Sequence, residues 1–149
     1  MVLTVPAAHQ ISTLDALKDH LKGKILIDVT VPLVPPKVGT VQLPEEGSAG
    51  KRAQDFLGEE VHVVSAFQNI AAHLLQQDVV IECDVLVAGN SKDSRAKVIE
   101  MISEAGMTGW HAGPIANAAA AEALTSILIQ INRGGILSHS GIKIIGQEH

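Results

Sequence analysis

The chain has 149 residues, 46% of them apolar, which is enough for one ordinary core. Its formal charge of −5, with eleven Lys and Arg residues scattered along it, argues against a surface that binds nucleic-acid phosphates. The single cysteine, Cys83, excludes an internal disulfide or a thiolate zinc site; with no signal-like start and no apolar run of roughly 18 residues, a cytoplasmic protein without a membrane span is expected.

Val2 to Pro6 is a short β run closed by proline. From His9 to Leu21 the apolar residues Ile11, Leu14, Leu17 and Leu21 recur at three- and four-residue spacing. With Gly23 just beyond, this predicts an amphipathic helix. Lys24 to Thr30 is β-branched and nearly continuously apolar, as in a strand covered on both faces. The resulting βαβ unit, with a right-handed crossover, places a ligand at the carboxyl ends of its strands. Thr4-Val5-Pro6 and Val31-Pro32-Leu33 are therefore expected on one rim. Positions 37 to 48, rich in Gly, Pro and acidic residues, read as a loop. Ser48 then caps a helix through Ala53, Phe56 and Leu57 that stops at Gly58, and Val61 to Phe67 is the third strand.

A short apolar stretch, Ile70 to Leu75, leads to a strand over Asp84 to Asn90 and a helix from Lys92 to Ala105. In that helix Ala96, Ile99, Met101, Ile102 and Ala105 are expected on one broad buried face, with Gly106 as the stop. Trp110 to Gly113 is extended. The longest helix runs from Ile115 to about Arg133, alanine-rich at first, with Leu124, Ile127, Leu128 and Ile131 on one side. Such a helix is buried within the protomer or against a second one. Ile142-Lys143-Ile144 is a final strand or extended tail.

Several chemistries are excluded by residue identity. A phosphate loop ending at Gly50-Lys51 needs glycine where Glu45 stands and Ser or Thr where Arg52 stands, and no G-x-G-x-x-G follows a strand. The seven histidines show no metal-ligand spacing, so no metal is expected. Glu45-Glu46 and Glu59-Glu60 read as solvated loop residues, and no serine lies in a nucleophile elbow. No acid/base catalytic residue is assigned. What remains is the rim, which offers Thr4, Val5, Pro6, Val31, Pro32, Leu33, the Phe67-Gln68-Asn69-Ile70 segment, and the Gly113-Pro114-Ile115 turn with Asn117. A Gly-Pro turn before a helix leaves backbone amides for an anionic or carbonyl group. The three aromatic residues, Phe56, Phe67 and Trp110, limit where a ring could stack.

Six segments in order resemble the reductases that pass hydride between NADP and the deazaflavin coenzyme F420. They are Leu3 to Pro6, Val31 to Leu33, Val63 to Phe67, Val87 to Asn90 with Ser91-Lys92-Asp93, Ala112 to Ile115, and Gly141 to Ile144. The resemblance implies an α/β fold: a partial, carboxyl-terminal Rossmann-like parallel sheet (residues 1–70) and a small α+β coenzyme-binding and dimerisation domain (residues 71–149). It implies that Gln68 and Ile70 lie beside the deazaflavin, with Val31 to Leu33 and Gly113 to Asn117 lining its pocket and Thr4 to Pro6 facing the nicotinamide. Lys51, Arg52 and Arg133 would pair the coenzyme's acidic tail. The cofactors carry the chemistry in such a site, so no charged catalytic residue is needed.

The family's glycine-rich NADP-binding turn has no counterpart in this sequence, so tight NADP binding is not expected of this chain. A fragment or shortened form of the oxidoreductase is the leading reading, and its activity is left open. The alternatives are a deazaflavin- or flavin-binding module without turnover and a remnant serving assembly only. An unpaired Val2 to Val5 edge would recruit a partner, which predicts a homodimer or higher homo-oligomer.

Overall fold

The computed structural model describes residues 1–147. Its regular elements are β1 (Val2–Leu3), α1 (Gln10–Leu21), β2 (Ile25–Asp28), α2 (Ala49–Leu57), β3 (His62–Ser65), β4 (Asp84–Gly89), α3 (Lys92–Glu104), β5 (Thr108–Gly113) and α4 (Ala118–Arg133). Single 3-10 turns lie at Ala7–His9, Leu74–Gln76 and Ile115–Asn117. The predicted elements are present, and Ile142 to Ile144 takes the second of its two expected forms, a tail outside the sheet. That tail is nonetheless tied down: Asp84 N donates to the Ile142 carbonyl, and Ile144 N donates to the Asp84 carboxylate, both at 2.8 Å.

Helix ends follow the residues that mark them. Ser48 Oγ accepts from Lys51 N at 2.9 Å, and Ser91 Oγ accepts from Ser94 N at 3.1 Å, each satisfying one of the free amides that open a helix. Gly58 and Gly106 take φ of 73° and 79°, a left-handed turn that stops α2 and α3 where glycine alone is unstrained.

The sheet order is β1-β2-β3-β4-β5. β1, β2 and β3 are mutually parallel, β4 runs antiparallel to β3, and β5 is parallel to β4. The reversal has a local cause. Residues 66 to 83 contain one 3-10 turn and no crossover helix, so the chain returns beside β3 in the opposite sense. The stretches 1–70 and 71–149 therefore share one sheet. Among the described residues β1 pairs on one side only, leaving the expected open edge.

Two apolar clusters cover the two faces. One joins Leu14 and Leu21 of α1, Leu26, Ala53 and Leu57 of α2, Val63, Ile115 and Ala118; the other joins Ile27, Val64, Val85 and Val87 to Val98 and Ile102 of α3. The register of α3 differs from expectation. The buried residues of α3 are Ser94, Val98 and Ile102, while Ala96, Met101 and Ala105 are exposed. In α4 the buried positions are Ala118, Ala121, Glu122, Ser126 and Leu128, and Ile127 and Ile131 are 44% and 43% exposed. The small residues of α4 face the sheet because its backbone packs close to α2; the large aliphatics are left outside.

Candidate functional site

β3 ends at Ser65, and Phe67 then takes φ of 72°, a conformation that a bulky side chain seldom adopts. The cost is on the order of 1–2 kcal/mol and must be offset by surrounding bonds. α4 supplies two of them. Thr125 Oγ1 donates to the Gln68 carbonyl, and Asn69 Nδ2 donates to the Ala121 carbonyl, both at 2.8 Å. From β2, the Asp28 carbonyl accepts from Gln68 Nε2 at 2.8 Å. A carbonyl only accepts, so this bond fixes which way the buried Gln68 amide points.

The turn borders a cavity of about 680 Å³ at the carboxyl ends of the three parallel strands. Val2 and Thr4 come from β1 and its end, Val29 and Val31 from the end of β2, and Phe67, Gln68 and Ile70 from the turn. Ala72, Leu75, Met101, Ala105, Met107 and Thr125 complete the wall. The only polar side chains among them are those of Thr4, Gln68 and Thr125, and no titratable side chain lines the cavity. A flat, mostly apolar ligand held by a few hydrogen bonds fits such a lining.

Of the residues singled out from sequence, Thr4, Val31, Phe67, Gln68 and Ile70 meet at this cavity. Asn69 turns away to α4 and borders a smaller adjoining recess of about 170 Å³, together with Gln68, Ile70 and Thr125. Val5 packs against the α1 and α2 cluster, Pro6 is exposed, and Pro32 and Leu33 are half-buried outside the cavity lining.

The Gly113 to Asn117 turn does not join this rim. Ile115 is buried in the cluster on the other face, and its amide donates to Asn90 Oδ1 at 3.1 Å. Asn117 bonds the carbonyls of Pro114 and Ala112. The reversal of β4 is responsible: β5 reaches Gly113 level with Ala88 and Ser65, and the chain then runs on beneath α2 instead of over the parallel strand ends.

Sequence reasoning missed Val29, Met101, Met107 and Thr125. Val29 was accessible from strand alternation with Val31, which sends both side chains to one face. Thr125 interrupts the apolar half of α4, a polar intrusion that signals a partner. Met101 was placed on the buried face, and the wall it forms depends on the loop at 71–83 folding back, which no local pattern encodes.

Behind the cavity lies a buried polar network, equally unforeseen. Asp28 and Thr30 point to the face opposite Val29 and Val31. Asp28 accepts from Gln10 Nε2 at 2.5 Å and from Thr30 N at 2.9 Å. Gln10 Nε2 also donates to the Ala49 carbonyl, and Gln10 Oε1 accepts from Arg52 Nε at 2.8 Å. Glu122, 1% exposed, receives the amides of Ala49 and Gly50 at 2.7 and 2.9 Å. Burial pushes the Glu122 carboxyl up to about 7, with nearby Asp28 adding to the rise and the Gly50 and Ala49 amides and Arg52 opposing it. Burial likewise raises Asp28, against its bonds to Thr30 and Gln10.

Arg52 is thus turned inward, and Lys51 pairs with Asp55 at 2.5 Å; neither stands free at the cavity for an acidic tail. Cys83 is a half-buried free thiol, raised by burial. No cluster of three or more His, Cys, Asp or Glu residues able to hold a metal occurs among the described residues, and none of their helices is long and apolar enough to cross a membrane.

Fold and site define an α/β protein with a ring-sized apolar cavity at the carboxyl ends of its parallel strands. No protein-family model matches the chain. Curated F420-dependent NADP reductases do match it. The one from Methanocaldococcus jannaschii is 33% identical over 99% of this chain and 68% of its own length. That from Methanothermobacter thermautotrophicus is 36% identical over 97% and 65%, and that from Methanothermobacter marburgensis 35% over 96% and 66%. A crystal structure of a candidate F420-dependent NADP reductase from Arthrobacter sp. FB24 superposes with a TM-score of 0.82 at 24% identity, covering 97% of this chain and 68% of that one. A hypothetical protein from Sinorhizobium meliloti gives 0.66 at 21% identity, covering 79% and 58%. The chain belongs to the F420-dependent NADP reductase family, spanning about two thirds of the length of those curated relatives.

Proposed function

We propose that the cavity binds the deazaflavin ring of coenzyme F420 and that the chain serves hydride exchange between that coenzyme and NADP. The meeting of Thr4, Val31, Phe67, Gln68 and Ile70 in one apolar cavity supports this reading most directly. The coenzymes supply the hydride chemistry when bound. The chain's own part is to hold two rings face to face at about 3–3.5 Å and to keep water out. Val29, Val31, Ile70 and Met101 give the excluding wall. Phe67 and Gln68, fixed by the bonds of the strained turn, set the ring's orientation. Gln68 takes a positioning role, its amide being engaged with the Asp28 carbonyl, and neither gives nor takes a proton.

The nicotinamide is proposed at the Thr4 side, next to the open edge of β1. A second reading is that a ring is bound without turnover, for which the cavity lining alone would suffice. Titrating coenzyme F420 with the protein and following ring fluorescence tests binding; adding NADPH and following F420 absorbance tests transfer. Saturable quenching with transfer supports the first reading, quenching alone the second, and neither signal removes both.

A homodimer or higher assembly is part of the proposal. Ile127 and Ile131 present an apolar strip on α4, and β1 offers unpaired backbone. Cytoplasmic placement is proposed with it.

A further inference from the structure

The turn beside the cavity is anchored on α4 by a small circuit of hydrogen bonds. Ile70 N donates to the Phe67 carbonyl at 3.2 Å, which closes Phe67 to Ile70 into a tight turn. The next carbonyl, that of Gln68, accepts from Thr125 Oγ1 at 2.8 Å. Asn69 Nδ2 donates to the Ala121 carbonyl at 2.8 Å and to Thr125 Oγ1 at 3.3 Å.

A hydroxyl has one hydrogen to give, and Thr125 has two carbonyls within reach, that of Gln68 at 2.8 Å and that of Ala121 at 3.2 Å. In a helix the ordinary choice is the carbonyl four residues back, here Ala121. Asn69 tips it the other way. Its amide already occupies the Ala121 carbonyl and gives a hydrogen to Thr125 Oγ1, so the Thr125 hydrogen goes to the shorter bond with Gln68. Asn69, 7% exposed, and Thr125 thereby direct their donors to fixing the turn on α4.

The circuit holds a conformation that Phe67 would not keep unaided. Its φ is 72°, and a bulky residue in the left-handed region costs about as much as one intramolecular hydrogen bond returns. Loss of the Thr125 bond is therefore enough to let Phe67 relax toward negative φ, which carries its side chain off the cavity wall that it forms with Gln68.

We propose that Thr125 is a positioning residue of the ring site: with its hydroxyl steered by Asn69, it keeps Phe67 in the left-handed conformation that faces the ligand. The proposal rests on the cavity being the deazaflavin site. It gives Asn69 a part in that site although Asn69 does not line the cavity.

Coenzyme F420 fluorescence, titrated with the full chain, tests this in a double-mutant cycle. Thr125→Val keeps the shape and removes the hydroxyl; ring affinity is expected to fall about tenfold, and Thr125→Ser to restore it to within about twofold. In a Phe67→Ala background the same Thr125→Val change is expected to cost less than about twofold, because the side chain through which Thr125 acts is gone. A general loss of stability would weaken binding equally in both backgrounds. That additive result, an unchanged affinity in Thr125→Val, or no rescue by Thr125→Ser overturns the proposal. Should Thr125→Val fail to fold, Asn69→Ala, which frees the Ala121 carbonyl to take the hydroxyl back, carries the same expectation in the two backgrounds, and additivity or an unchanged affinity overturns it. No saturable quenching by the wild type removes the reading of the cavity itself, and the ring-positioning role falls with it.

Discussion

Gln68 shows how much a single side chain sets in this site. Its side-chain amide donates to the Asp28 carbonyl beside the Ala66 amide, its Oε1 is buried without a partner, and its backbone carbonyl is held by Thr125. Gln68→Leu should remove one bond while the Asp28 carbonyl keeps its Ala66 amide, and cost about 0.5–1.5 kcal/mol; thermal unfolding should show the loss. Gln68→Glu should be worse at neutral pH, because it sets a carboxylate oxygen against that carbonyl. Phe67→Ala keeps the left-handed strain but removes the aromatic face, so ring affinity should fall about tenfold, roughly 1.4 kcal/mol, with a smaller effect on melting. Equal ring affinity in Phe67→Ala and wild type would remove Phe67 from the site. Both residues stood out in the sequence because they follow an apolar strand with a small-residue turn. The left-handed φ at Phe67 did not, since nothing in Ala-Phe-Gln announces it.

At the level of elements, helix boundaries were legible because they rest on local chemistry: Ser48 and Ser91 cap, Gly58 and Gly106 stop. Helix orientation was less so. The sequence left open whether α4 is buried within the protomer or against a second one; its alanines pack inward and Ile127 and Ile131 stay outside. Gly50 explains the preference. A Cβ there would lie 3.2–3.3 Å from Ser65 Cβ, Ala118 Cβ and Ile115 Cδ1, two of them β-carbons that cannot swing aside. Only small residues let α2 and α4 approach this closely. Gly50→Ala should thus destabilise by about 1–3 kcal/mol through overpacking, despite a helix-propensity gain of about 1 kcal/mol. Chemical denaturation reads the sign, and a stabilised variant would contradict the close approach. The 113–117 turn was misplaced for a related reason: strand direction depends on what connects β3 to β4, and residues 66 to 83 carry no periodic signal for a crossover.

For the whole molecule, pH dependence follows from Glu122. Its folded pKa, about 7, lies above the ordinary 4.5, so its stabilising contribution is fully present below about 4.5 and is lost as pH rises to about 7. Asp28, also raised, acts in the same direction. The difference in stability between wild type and Glu122→Gln should therefore move against the wild type across that window, and a constant difference would contradict it. Assembly can be read separately. A particle of two or more chains by light scattering is expected, and Ile127→Lys with Ile131→Lys should shift it toward the monomer if the α4 strip is the contact.

The account turns on whether the cavity beside Phe67 and Gln68 holds the deazaflavin ring. The direct measurement is coenzyme F420 fluorescence titrated with wild-type protein and, in parallel, with the Phe67→Ala and Ile70→Lys variants. Saturable quenching by the wild type that weakens in Phe67→Ala and is lost in Ile70→Lys, with both variants folded, is the predicted result. No saturable quenching, or identical curves for all three proteins, would contradict it.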